Sequence, residues 1–303
     1  MHWLNICHTK PELTHAMQHD TRPPASGSRT ARRPIAILSY HQTARPPRRG
    51  TPVRSLVLPP SRFARQLRAL RLLGWRGMSM RDLGPYLQGE KTGKVFGITL
   101  DDGYLNNYEE ALPVLRALGF TATAFIVSGQ VGGSNVWDHP KGAPAVPLMG
   151  LLHLREWLAA GMEIGGHTRN HVNLCECDDD TAREEIAGCK RDLEQSLGVE
   201  VRSFSYPYGA HRGEHAQMVR EAGYATATTI VSSRVRPEDD ALRLPRISVH
   251  LQDKLPRLLA QVTTDYEDWR MRRPKNRLQP TSRWYQAAAA AVQQMGSSGT
   301  ANP

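Results

Sequence analysis

Two adjacent carboxylates follow an apolar run in this sequence, within residues 99–103, Thr-Leu-Asp-Asp-Gly. Pairs of this kind are frequent in turns, where Asp tolerates tight backbone geometry and Gly supplies a positive φ. Here Asp101 and Asp102 come directly after a predicted strand of the buried type, residues 95–100. Charged groups at such a position need a metal ion or another cation beside them, so the pair is a candidate for metal binding and proton transfer.

Two histidines four residues apart, His167 and His171, form a second cluster. This spacing places both imidazoles on one face of a helix or turn, within reach of a single metal ion, although it also arises by chance on exposed helices. Together with one carboxylate, the histidines predict a two-histidine, one-aspartate metal site that keeps open positions for water and a substrate.

The third cluster is a predicted strand that runs into a turn containing proline and glycine, residues 203–209, Ser-Phe-Ser-Tyr-Pro-Tyr-Gly. It is either an ordinary turn or a rigid one that directs a backbone N–H, such as that of Tyr208, toward a developing oxyanion. All three clusters fall where a predicted strand ends. Barrel enzymes place their catalytic groups at such positions.

The elements that must position these clusters are short apolar strands alternating with amphipathic helices, many of which end at a glycine. The predicted strands include residues 35–40, 95–100, 121–127, 201–206, 224–230 and 244–249. One helix is predicted to begin with a capping box made by Thr181 and Glu184. The alternation predicts parallel strands joined by helical crossovers, in about seven units. The fold class is therefore α/β, closer to a barrel than to an open sheet.

The net charge of +10 suggests an acidic partner until it is mapped along the chain. Residues 1–50 carry eight Lys/Arg against two acidic residues, and residues 270–303 carry six against none. This distribution predicts a basic N-terminal tail, residues 1–33, a catalytic domain, residues 34–269, and a basic C-terminal tail, residues 270–303. Specific nucleic-acid binding is not expected, whereas weak contact of the tails with an anionic membrane surface is a hypothesis.

The first residues show no basic start followed by an unbroken apolar stretch, so no secretory signal is visible. No apolar run approaches the roughly 20 residues that a transmembrane helix needs. The four cysteines lack the spacing of a zinc cluster or a disulfide scaffold. We therefore expect a cytoplasmic protein, in solution or peripheral at the inner membrane face, while the oligomeric state stays open.

In their order along the chain, the three clusters resemble the motifs of the polysaccharide deacetylase family. The catalytic region of this family is the NodB homology domain of carbohydrate esterase family 4. Its first motif is Thr-Phe-Asp-Asp-Gly, with Leu100 here in place of Phe, and its second is His-Ser/Thr-x-x-His, here residues 167–171. The flanking residues 161–166 and 221–224 agree as well. The resemblance covers about residues 34–250.

The resemblance implies a distorted (β/α) barrel, usually of seven strands, and a divalent metal ion. This metal is most often Zn²⁺, with Co²⁺, Ni²⁺ or Mn²⁺ as alternatives. By motif matching, Asp101 is the base, and the metal ligands are Asp102, His167 and His171. A metal of this kind polarises an amide carbonyl and makes its bound water acidic near neutral pH, while Asp101 accepts the proton of the water. The implied reaction is hydrolysis of the N-acetyl group of an N-acetylhexosamine in a glycan or a lipid-linked precursor.

Two departures from the family pattern concern the groups around the metal site. Many members carry an arginine that orients the base at the position of Ser205. Arg246 is the first candidate to replace it, and Arg202 is the alternative. His250 is the candidate general acid that protonates the leaving amine, or else a histidine at the edge of a strand.

Three further residues are assigned to the substrate groove: His41 after the first strand, Pro207 in the rigid turn, and Trp137 in a glycine-rich loop. The ring of Trp137 either stacks on a sugar face or simply packs within its loop. Two other functions stay open. One is deformylation or hydrolysis of another small amide at the same site, and the other is carbohydrate binding by an inactive relative.

Overall fold

Parallel strands and helices alternate along residues 33–272, the part of the chain described by a computed structural model. The two predicted tails lie almost wholly outside these residues, so the tail boundaries and the membrane contact suggested for them stay predictions. No helix between residues 33 and 272 combines the length and the apolar character that a membrane span requires.

The strands of this part of the chain are short and mostly buried on both faces. In chain order they are β1 (Ile37–Tyr40), β2 (Gln42–Thr43), β3 (Val57–Leu58), β4 (Arg76–Met78), β5 (Val95–Leu100), β6 (Thr123–Ile126), β7 (Glu163–Gly166), β8 (Ser203–Ser205), β9 (Thr226–Thr228) and β10 (Ile247–Ser248). Seven of them lie side by side in the order β10-β1-β5-β6-β7-β8-β9, and every pairing is parallel. They form a curled half-barrel, which confirms the predicted fold class.

Helices cover the outer face of the curled sheet. They are α1 (Pro60–Leu72), α2 (Met80–Gln88), α3 (Leu112–Leu118), α4 (Leu151–Ala159), α5 (Asp179–Leu197), α6 (Gly213–Glu221), α7 (Leu255–Thr263) and α8 (Tyr266–Arg272). The capping box predicted from Thr181 and Glu184 is wrong. The cap of helix α5 lies three residues earlier, because the Asp178 carboxylate accepts the N–H of Thr181 and so supplies it.

Strand β4 and helix α2 have no counterpart among the predicted elements. The strand carries the sequence Arg-Gly-Met, which is too short and too polar to show apolar alternation. Gly77 lets it pack closely, since a Cβ there would lie 2.4 Å from Cδ1 of Ile98. Strand β4 therefore pairs with β5 through backbone fit, which a hydropathy pattern does not reveal.

The two edges of the half-barrel meet at residues 244–248, which we call the seam segment. Its first part bonds to β9, with the N–H of Leu244 donating to the carbonyl of Ala227 at 2.8 Å. Its last part is β10, in which Ile247 pairs with Leu38 of β1. Arg246 lies between these two attachments. Its side chain is therefore held at the seam, where it is completely buried.

A buried carboxylate links several strands at the opposite edge of the sheet, where the strands begin. Oε2 of Glu163 accepts the N–H of Arg81 at 2.7 Å and the hydroxyl of Thr123 at 2.6 Å, and Oε1 accepts the hydroxyl of Ser203 at 2.7 Å. Burial raises the pKa of Glu163 despite these hydrogen bonds. The Glu163 carboxylate therefore connects β6, β7, β8 and the start of α2 at the edge of the sheet where the strands begin.

We expect Glu163→Ala to lower the free energy of unfolding by about 2–4 kcal/mol, because it leaves three buried donors without their acceptor. Glu163→Gln retains a carbonyl oxygen and should cost less than half as much. Denaturant unfolding of the three proteins at pH 7 measures both changes. Equal losses for the two variants would show that the hydrogen bonds of Glu163 are not what stabilises this end.

Candidate active site

Three buried side chains converge at the edge of the sheet where the strands end. Asp102 follows β5, and His167 and His171 follow β7. Oδ1 of Asp102 lies 3.3 Å from Nε2 of His167 and 3.2 Å from Nε2 of His171. These potential ligand atoms lie within 4.8 Å of one another, which is close enough for one metal ion to bind them all.

Left-handed backbone conformations concentrate at this site. Among residues 33–272, five residues other than glycine have a positive φ, and four of them lie here: Asp102, Thr168, His171 and Tyr208, with φ between 57° and 76°. Each such residue costs of the order of 1–3 kcal/mol, so the surrounding fold must enforce it. The left-handed backbone directs Asp102 and His171 back toward His167. The strained conformations therefore bring the three potential ligand side chains together.

The hydrogen bonds of the histidines leave one nitrogen of each ring facing Asp102. Nδ1 of His167 lies 2.7 Å from the carbonyl oxygen of Ser205, which can only accept, so Nδ1 carries the proton and Nε2 keeps its lone pair. Nδ1 of His171 lies 3.2 Å from the hydroxyl of Tyr208. Burial lowers the pKa of His171, which favours the neutral ring. Neutral imidazoles are the form that binds metal.

The carboxylate of the site also stays in its metal-binding form. Burial alone would raise the pKa of Asp102, but the adjacent imidazoles of His167 and His171 hold it well below its usual value. One carboxylate and two imidazoles suit a divalent ion such as Zn²⁺. The donor set therefore fits the metal that the sequence predicts.

Asp101 points away from this triad, toward Arg246. Nη1 of the guanidinium lies 2.7 Å from Oδ1 and Nη2 lies 2.8 Å from Oδ2, in the parallel two-bond geometry typical of strong Arg–carboxylate pairs. Burial would raise the pKa of Asp101, but the charge of Arg246, reinforced by His41, holds it below its usual value. Asp101 is therefore ionised and fixed in orientation.

All five N–H donors of Arg246 have partners. Beyond the two oxygens of Asp101, they contact the carbonyl of Thr229 at 3.0 Å and the hydroxyls of Thr99 at 3.0 Å and Ser205 at 2.9 Å. Ser205 therefore accepts a hydrogen bond from Arg246 at the position where the family pattern predicts an arginine. The alternative, Arg202, is exposed, and its ion pair is with Glu200.

The other two histidines predicted for the site are His41 and His250. His41 interacts electrostatically with both Asp101 and Asp102, whereas the charges that act on His250 are those of Asp253, His41 and Arg257. Burial lowers the pKa of His250. Within residues 33–272, Nδ1 of each ring is buried without a hydrogen-bond partner. Both rings thus keep a nitrogen available for a ligand or a proton.

The residues predicted from the rigid turn and the glycine-rich loop also meet at the site. Pro207 is buried in the turn, and the ring of Tyr208 packs edge-on against His171. The ring of Trp137 stacks on the other side, with its centroid 4.5 Å from that of His171. Trp137 therefore packs on a predicted metal ligand, and stacking on a sugar stays a prediction, as does the oxyanion contact of the Tyr208 N–H.

The sequence reasoning missed Tyr104 and Lys141. Tyr104 is buried, and its hydroxyl interacts with Asp102 and with Gln42. The ammonium of Lys141 lies over the ring of Tyr208, 4.8 Å from its centroid, and pairs with the buried Asp138. The position of Tyr104 directly after the Asp-Asp-Gly turn was a usable signal, whereas nothing in the sequence pointed to Lys141.

Comparison with known proteins gives this site a family context. Residues 88–227 match the family model described as polysaccharide deacetylase. This stretch contains the two aspartates, the two histidines and Tyr208, whereas Arg246 and His250 lie beyond it. The match therefore includes all three of the sequence clusters.

Individual relatives agree with the family match. The chain is 24% identical over 217 residues to a Bacillus subtilis protein named as a polysaccharide deacetylase, YxkH, covering 71% of each chain. It is 22% identical to a Staphylococcus aureus poly-β-1,6-N-acetyl-D-glucosamine N-deacetylase, covering 62% of this chain and 66% of that protein. The structure of IcaB from Ammonifex degensii superposes with a TM-score of 0.63 and 26% identity over 76% of this chain and 97% of that one.

We expect His167→Ala to bind Zn²⁺ far more weakly than the unchanged protein. The loss should exceed the roughly 10- to 100-fold that removal of an outer hydrogen-bond partner typically costs. Asp101→Asn should stay within a few-fold of the unchanged protein, because Asp101 contacts Arg246 rather than the triad. Competition titration against a zinc-binding dye measures both. Equal losses would mean that Asp101 is itself a ligand.

Proposed function

The chain belongs, through residues 88–227, to the polysaccharide deacetylase family, and from this premise we propose that it hydrolyses the N-acetyl group of an N-acetylhexosamine unit. The substrate is a poly- or oligosaccharide or a lipid-linked precursor, and the product is acetate. The observation that carries the proposal is the buried triad of Asp102, His167 and His171 beside an ionised Asp101 held by Arg246.

Asp102, His167 and His171 would hold the divalent ion, Zn²⁺ in our proposal, with Co²⁺, Ni²⁺ or Mn²⁺ as alternatives. When bound, such an ion supplies Lewis acidity toward an amide carbonyl and lowers the pKa of water at the site. Asp102 brings one negative charge, and the two histidines are neutral donors, so the site keeps a net positive charge with a divalent ion. A positive site stabilises the oxyanion of amide hydrolysis.

Asp101 is suited to accept a proton from the attacking water. Its Oδ1 accepts one hydrogen bond, from Arg246, which leaves a lone pair free for water. The guanidinium lowers the pKa of Asp101, so the carboxylate is ionised at neutral pH, and the two parallel hydrogen bonds fix its plane. Arg246 thus acts as a positioning residue for the base.

The departing amine must receive a proton, and two histidines are available. The sequence favoured His250, but Tyr40 of β1 pairs with Leu100 of β5, so His41 follows β1 beside Asp101. We therefore infer that His41 lies nearer to the reacting atoms and donates the proton. The backbone N–H of His250 donates to the Asp253 carboxylate at 2.8 Å.

The proposed activity is tested by acetate release from a panel of N-acetylated oligosaccharides, with and without a chelator. We expect release that stops with the chelator and returns with Zn²⁺. Asp101→Asn should abolish release while retaining the metal, because only the proton acceptor is lost. Release of formate from N-formylated analogues without release of acetate would instead support a deformylase. Binding of the glycans without any release would support an inactive binding protein.

We expect Arg246→Lys to lower kcat roughly 100-fold with little change in KM, because one ammonium cannot replace the two-bond contact that orients Asp101. Arg202→Ala removes the alternative arginine and should leave both constants unchanged, since Arg202 is exposed. Steady-state acetate release, with zinc content measured in parallel, decides between them. A loss of kcat in the Arg202 variant alone would reverse the assignment.

A further inference from the structure

A cavity of about 200 Å³ lies at the edge of the sheet that carries the metal site. One wall comes from the loop between β2 and β3, residues 44–56, which we call the arginine loop. The opposite wall contains Asn135, Pro144 and Val146. One water needs only about 10–15 Å³ of such space, so the cavity has room for a substituent of a sugar.

A buried contact connects this cavity to the metal site. Gln42 lines the cavity and interacts with the hydroxyl of Tyr104, and this hydroxyl also interacts with Asp102. The side chain of Tyr104 therefore contacts both a residue of the cavity wall and a predicted metal ligand. A glycan whose N-acetyl group lies at the metal would extend a neighbouring sugar toward the cavity.

The lining of the cavity is apolar with one charge. Alanine, proline and valine side chains form most of it. Its asparagine side chains form hydrogen bonds within the cavity walls. For example, the N–H of Val146 donates to Oδ1 of Asn135 at 2.7 Å. Among the lining residues, all of which belong to the described part of the chain, Arg45 alone is charged. An arginine beside apolar walls favours a planar anion such as a carboxylate, which it can bind through two hydrogen bonds.

The arginine loop has a defined conformation. The N–H of Ala44 donates to the carbonyl of Leu58 at 3.0 Å, and Nε of Arg54 donates to the carbonyl of Pro47 at 2.8 Å. A further hydrogen bond, from the N–H of Leu251 to the carbonyl of Ser55, attaches the loop to the segment that carries His250. The wall that presents Arg45 is therefore part of the catalytic edge.

The arginine loop has no acidic residue near it in the sequence. No Asp or Glu occurs between residues 21 and 81, and the arginine loop itself contains four arginines. Arg45, Arg48 and Arg49 are exposed, and none of them pairs with an acidic residue within residues 33–272. Unpaired arginines at the rim attract anions by long-range electrostatics.

We propose that this cavity binds a carboxylate-bearing sugar that neighbours the N-acetylated unit, so that the substrate is an acidic glycan. The inference rests on the proposed deacetylation. That reaction converts a neutral amide into an amine that is protonated near neutral pH. The rim arginines repel a fully deacetylated, polycationic glycan, whereas a carboxylate next to each amine cancels its charge. The protein thus acts on acidic rather than neutral N-acetylated glycans.

The binding test compares methyl glucuronide with methyl glucoside, which differ only in the carboxylate. Neither probe has an acetyl group, so NMR titration of the zinc-loaded protein reports the cavity independently of catalysis. We expect the glucuronide to bind at least tenfold more tightly than the glucoside, and Arg45→Gln to remove this difference. Arg68→Gln, an exposed arginine on α1 outside the cavity, is the matched control and should leave the difference intact.

The activity test compares a hyaluronan tetrasaccharide, which alternates N-acetylglucosamine with glucuronate, with the same tetrasaccharide after its carboxylates have been reduced. We expect a KM at least tenfold lower for the acidic form and loss of this advantage in Arg45→Gln.

Acetate release with equal binding of glucuronide and glucoside would overturn the acidic-glycan inference and leave the proposed function standing. Arg45-dependent glucuronide binding without acetate release from any glycan would reject the proposed function while supporting the cavity. Tighter binding of inorganic phosphate than of the glucuronide would overturn the choice of a carboxylate.

Discussion

The ion pair between Asp101 and Arg246 is the interaction on which the site depends. Both groups are buried, and removal of one partner from such a pair typically costs about 3–5 kcal/mol because the other charge is left without compensation. The desolvation cost of this buried pair is offset because every side-chain N–H of Arg246 has an acceptor, including the carbonyl of Thr229. The charge and orientation of Asp101 and the closure of the sheet around Arg246 therefore depend on one another.

Two different kinds of support hold the site in place. The arginine is fixed by the seam segment, where backbone hydrogen bonds to both edges of the half-barrel leave it no freedom. The predicted metal ligands are fixed by strained turns, in which Asp102, directly after β5, and His171, in the turn that follows β7, adopt left-handed conformations. The rigid sheet below the seam segment and the turns allows the backbone strain to persist. If a turn relaxed, it would move the side chains of Asp102, His167 and His171 apart, although hydrogen bonds hold both imidazole rings in orientation.

Much of the fold and the buried Asp–His–His triad could be predicted, because both leave local signals in the sequence. Alternating strands and helices gave the α/β class, and the motif spacing gave Asp102, His167 and His171. The role of Ser205, the contact of Tyr104 with Gln42 and that of Lys141 with Tyr208 join segments far apart in sequence, and no local pattern encodes such contacts. The small strand β4 was missed for a related reason, because its place depends on the missing side chain of Gly77 and not on hydropathy.

The seam segment also has a consequence for how the protein is made. Arg246 follows Asp101 by 145 positions, so the ribosome completes the strand that carries the base long before it supplies the counter-charge. Until the seam segment emerges and inserts, the nascent half-barrel would hold an uncompensated carboxylate at its centre, which disfavours premature collapse around it. The ion pair of the site therefore forms late in folding, when the seam segment closes the sheet. Chains that lack the seam segment cannot assemble the complete site.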